Sequence, residues 1–67
     1  MNHNNIHFLI NDLDRNLDIV KNDLQIVKNT QISKTIKKEK MDKIKKDIHH
    51  IQKEILSLDK EINQLKN

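Results

Sequence analysis

Apolar side chains recur along the chain in two long stripes. The first runs Ile6, Ile10, Leu13, Leu17, Val20, Leu24 and Val27, with spacings of four and three in alternation. The second runs Met41, Ile44, Ile48, Ile51, Ile55, Leu58, Ile62 and Leu65, four heptads without a miss. A repeat averaging 3.5 residues keeps one stripe on one side of an α-helix, and coiled-coil helices meet along such a seam. A strand needs alternation at two, which neither half sustains. The pattern predicts an all-α chain, with one helix over about 5–29 and a second over about 38–66. The heptad is even visible as near-repetition, since "LDIVKND" at 17–23 is followed by "LQIVKNT" at 24–30.

The two stripes do not share a register. Extending the first forward puts Gln31, Lys34 and Lys38 on the seam, and extending the second backward puts Lys37, Lys34 and Thr30 there. Both turn polar across 30–38. The same stretch collects Asn, Thr and Ser, whose side chains compete for backbone hydrogen bonds and favour turns and caps. A polar bend over about 30–37 follows, with Ser33 or Thr35 as the cap of the second helix. The predicted fold is a two-helix coiled-coil hairpin that assembles into a helical bundle, one domain spanning 1–67. In it, paired layers have residue numbers summing to 68, such as Val20 with Ile48. The alternative is one continuous coiled-coil helix about 100 Å long, with a three-residue slip at the centre.

Two packed helices of this size hide only one stripe each, which seldom outweighs the cost of ordering the chain. Ile19 and Ile26 lie off the seam, as do Phe8 and Leu9, so the first helix carries apolar surface on a second side. That implies a second neighbour, either a homo-oligomer or a hetero-oligomer with other helical proteins. The helix-interface residues are Ile10, Leu13, Leu17, Val20, Leu24, Val27, Ile44, Ile48, Ile51, Ile55, Leu58, Ile62 and Leu65. Charges flanking the second seam argue against a parallel homodimer. Lys40 would face Lys45 and Glu54 would face Asp59, while only Glu61 with Lys66 attracts.

Composition adds limits. A chain of 67 residues without Cys has no disulfides or thiolate metal sites. The absence of Gly and Pro does not exclude a turn, because codon bias toward A and T explains much of it, as twelve Lys to one Arg suggests. No apolar run reaches the roughly 18 residues of a membrane span, and the start lacks the features of a secretory signal. The expectation is a soluble intracellular protein, cytoplasmic or nuclear.

Charge is concentrated. Residues 30–46 hold seven Lys against Glu39 and Asp42, a net +5, whereas the segments on either side each sum to −1. Lys34, Lys37, Lys38, Lys40, Lys43, Lys45 and Lys46 are therefore candidate contacts for an anionic partner, either nucleic acid backbone or an acidic protein surface. The stretch contains no Arg for bidentate base reading, so this regulator reading ranks second to a small, non-enzymatic helical interaction protein or adaptor. No catalytic residues, cofactor, metal or small-molecule substrate are expected. His3 and His7 share a helical face but offer only two ligands, and His49 and His50 read as surface or rim residues.

Overall fold

The computed structural model describes residues 3–65. It contains two helices, α1 (His3–Lys28) and α2 (Lys34–Asn63), packed against each other. Among the described residues there is no strand. The rod measures 52 × 15 × 13 Å, about half the length of a continuous helix of this many residues. The hairpin therefore describes the chain, and the single long helix does not. The expectations that involve the side chains of His3 and Lys66 lie outside what is described.

The turn occupies 29–33 and is shorter than predicted. Ser33 sits in extended conformation (φ −64°, ψ 154°), and its hydroxyl accepts from the Ile36 N–H at 3.3 Å. That bond satisfies one of the orphan donors of a helix start. It makes Ser33 rather than Thr35 the cap, and it draws 34–37 into α2. At the other side of the turn, the Asn29 side chain accepts from the Gln31 N–H at 2.9 Å, and the Asn29 carbonyl accepts from the Ile32 N–H at 3.3 Å. Asn29 thus turns the chain locally. No described residue has positive φ, so the bend needs no glycine. At the far end α2 stops at Asn63, short of the predicted 66. Near its end the carbonyls of Lys60 and Glu61 accept from the Gln64 N–H at 3.2 Å each, and that of Ile62 accepts from the Leu65 N–H at 3.1 Å.

The helices meet along a seam that is apolar only at every second step. Val20, Ile44 and Ile51 form its buried centre, with Leu13, Val27 and Met41 packed on it. Between these apolar residues sit polar ones: Asn16 and Asp23 on α1, and Asp47, Glu54 and Glu61 on α2, all buried or half-buried. Helical geometry explains the split. Counting from Leu13 and Val20, residues three further on turn about 60° one way, and residues four further on turn about 40° the other way. On α1 the first set is Asn16 and Asp23, and the second is Leu17 and Leu24. On α2, counting from Ile44, Ile51 and Leu58, the first set is Asp47, Glu54 and Glu61, and the second is Ile48, Ile55 and Ile62. The helices run antiparallel, so equal offsets turn toward the same side of the hairpin. One flank is consequently polar and the other apolar.

The polar flank is the one that closes. Asn16 donates to Glu54 Oε1 at 2.8 Å, and Lys43 Nζ donates to Asp23 Oδ2 at 2.7 Å. These cross-helix partners have residue numbers summing to 70 and 66, on either side of the expected 68. The apolar flank stays open. Ile10, Leu17, Leu24, Ile48, Ile55 and Ile62 are each between 43% and 50% exposed.

Candidate functional site

Two surfaces stand out from the hairpin: the open apolar flank and the polar flank opposite.

The apolar flank consists of two rows with a spacing of seven, Ile10–Leu17–Leu24 on α1 and Ile48–Ile55–Ile62 on α2. Six of the predicted interface residues are thus displayed outward. Leu13, Val20, Val27, Ile44, Ile51, Leu58 and Leu65 are the predicted interface residues that are buried or half-buried. Of the off-seam residues expected to form a second apolar face, Phe8 and Ile19 are exposed, while Leu9 and Ile26 are half-buried. A further open apolar face is the alternate half of the seam itself, because polar residues take its place between the helices.

The polar flank is an extended ion-pair network. Asp23, 6% exposed, accepts from Lys43 at 2.7 Å and has Lys40 Nζ at 3.8 Å. Lys43 also reaches Asp47 at 3.1 Å. Hydrogen bonds to Asp23 and then to Asp47 hold the Lys43 ammonium above its ordinary pKa. Two of the seven candidate anion-binding lysines are therefore directed at the chain's own carboxylates. The other five, Lys34, Lys37, Lys38, Lys45 and Lys46, have no such ion pair among the described residues; the first three lie beside the turn at the start of α2, and the last two lie about two helical turns further along.

Nearer the open end lies a cluster that the sequence did not single out. Asp12, four residues before Asn16, and His50, four before Glu54, meet across the helix interface. His50 Nε2 lies 3.7 Å from Asp12 Oδ2 and 3.5 Å from Glu54 Oε1. Asn16 Nδ2 donates to the same two oxygens, at 3.2 Å and 2.8 Å. Arg15 pairs with the other oxygen of Asp12. His50 is accordingly a rim residue, as expected, but one turned onto two carboxylates. A hydrogen bond shared with Glu54 is the main influence that holds Asp12 below its ordinary pKa, with Arg15 and His50 assisting. Burial, then the same shared bond, pushes Glu54 above its own.

The signs of these shifts give a prediction. Glu54 keeps its proton more tightly when folded, so its ionisation at neutral pH weakens the fold. Stability on its account rises as pH falls through its folded value toward the ordinary 4.5. Asp12 acts oppositely: its contribution is present above the ordinary 3.8 and is lost as pH falls through its lower folded value. Glu54→Gln keeps an acceptor for Asn16 and removes the charge. In thermal melts it is expected to raise the melting temperature at pH 7 by a few degrees. It should also abolish the rise otherwise seen on acidifying toward the ordinary carboxyl value of 4.5. A lower melting temperature at pH 7 contradicts this reading.

Among the described residues no helix is long and apolar enough to cross a membrane. No protein-family model, curated protein or solved structure matches the chain.

Proposed function

We propose that the chain is a non-enzymatic helical interaction subunit whose open apolar flank docks on a second copy of the same hairpin, forming an antiparallel four-helix bundle with coiled-coil packing. The observation that carries this reading is the pair of exposed isoleucine and leucine rows on one flank. An apolar surface of six large side chains in register is costly to leave in water, at about 25 cal/mol per Å², and contiguous patches of this kind mark association sites.

Charge favours a second copy as the occupant. Lys21, Lys28 and Lys45 border the apolar rows toward the turn, and Asp14 and Asp59 border them toward the open end, all exposed. A two-fold axis across the rod sets one hairpin's turn beside the other's open end. The lysines of each copy then face the aspartates of its mate. A parallel arrangement would put like charges together. The thickness of the rod, 15 × 13 Å, supports a role in binding over catalysis, since two helices enclose little interior from which water is excluded.

The rival reading, docking of Lys34, Lys37, Lys38, Lys45 and Lys46 on nucleic acid or an acidic protein, is separable by salt. Self-association measured by light scattering is expected to change less than about threefold between 50 mM and 500 mM salt, as apolar burial requires. Tight binding to nucleic acid that falls a hundredfold or more over that range would favour the basic turn instead.

A further inference from the structure

We propose that Asp12, Asn16, His50 and Glu54 form a binding site for a divalent transition-metal ion, zinc by ligand preference, which clasps α1 to α2. The site consists of two pairs at helical spacing. Asp12 and Asn16 project from successive turns of α1, and His50 and Glu54 project from successive turns of α2. Residues four apart lie on one helical face, so each helix offers two adjacent donors to the other. One ligand atom from each of Asp12, His50 and Glu54 lies within 4.8 Å of the others.

The separations suit a small tetrahedral ion. Nitrogen and carboxylate ligands about 2.0–2.1 Å from zinc stand about 3.4 Å from one another. His50 Nε2 is 3.5 Å from Glu54 Oε1 and 3.7 Å from Asp12 Oδ2. The Asn16 amide completes the set. Its Nδ2 already approaches both carboxylate oxygens, and a half-turn about the last side-chain bond presents the amide oxygen in the same place. The donor chemistry also selects the ion. An imidazole among oxygen ligands favours zinc, copper or nickel over magnesium and calcium, which take oxygen alone. Two carboxylates match the ion's charge, and the pairing of Arg15 with the far oxygen of Asp12 orients that ligand. Glu54 is 8% exposed, which shields the inner side, while the exposed His50 leaves a path from solvent.

This site is independent of the apolar flank, which lies on the opposite side of the hairpin. Its test is a titration of the full chain, stripped with chelator, with Zn2+ and with Co2+. The expected result is one ion per chain, a rise in melting temperature with Zn2+ and the visible d–d absorption of tetrahedral Co2+. His50→Gln and Glu54→Gln are each expected to weaken binding by about a hundredfold or more, whereas His49→Gln and His7→Gln leave it unchanged. Glu54→Gln is the decisive variant, because glutamine keeps the size of the side chain and an oxygen that accepts from Asn16 while losing the anionic ligand. The proposal is overturned if Zn2+ at millimolar concentration moves neither readout. It is also overturned if His49→Gln or His7→Gln weakens binding as much as His50→Gln, or if Mg2+ produces the same stabilisation as Zn2+.

Discussion

Replacing Ile44 by alanine should unfold the chain. Ile44 is the most deeply buried apolar residue, 2% exposed, and lies between Val20, Ile51 and their half-buried neighbours. Truncating a buried isoleucine costs about 2–5 kcal/mol through lost transfer energy and the cavity left behind. A chain of 67 residues has only about 3–10 kcal/mol in total, at the usual 0.05–0.15 kcal/mol per residue. Two helices have no third layer to collapse into the gap. The helical circular-dichroism signal at 25 °C and tens of micromolar chain is therefore expected to fall to less than half that of the parent. A variant that melts within a few degrees of the parent chain would remove Ile44 from the centre of the fold.

The second large effect belongs to the other flank. Leu17 and Ile55 are 50% and 48% exposed in the hairpin, so aspartate at both costs the hairpin little. In the proposed bundle the same positions would face a second hairpin, and its two-fold axis would double every substitution. Placing unpaired charges in an apolar interface costs about 3 kcal/mol or more each. Losing even about 4 kcal/mol weakens association about a thousandfold. The Leu17→Asp, Ile55→Asp double variant is expected to sediment as single chains at concentrations where the parent pairs. Substituting Ile19 and Phe8, also exposed but off these rows, should leave the mass unchanged. If the double variant keeps the parent mass, the open flank is not where copies meet.

The contrast between Ile44 and Leu17 shows what the sequence could and could not reveal. Both residues belong to stripes of equal regularity, and the helices, their antiparallel pairing and the polar turn are all legible in those stripes. Which half of each stripe faces inward is not legible from apolar residues alone. That choice depends on Asn16 and Asp23, which pair across the interface with Glu54 and Lys43, and on Asp47, which holds Lys43 on its own helix. Their own spacing of seven, one step off the apolar positions, carries the signal, but it is the same spacing that surface charges flanking a coiled coil would show. The turn was harder to delimit. Thr35 and Ser33 are both competent caps, and only the Ser33–Ile36 bond distinguishes them. The Asp12–His50 meeting was the least accessible, because it depends on the register between helices to within a residue, which no periodicity supplies.

The hairpin uses half of its apolar repeat to close on itself, and we propose that the other half receives a second copy. Sedimentation equilibrium of the unmodified chain across a dilution series tests this most directly. The account predicts twice the chain mass of 8.0 kDa at tens of micromolar, with mass and helical signal declining together on dilution. A folded species of 8.0 kDa throughout, with helical signal unchanged by dilution, would contradict it.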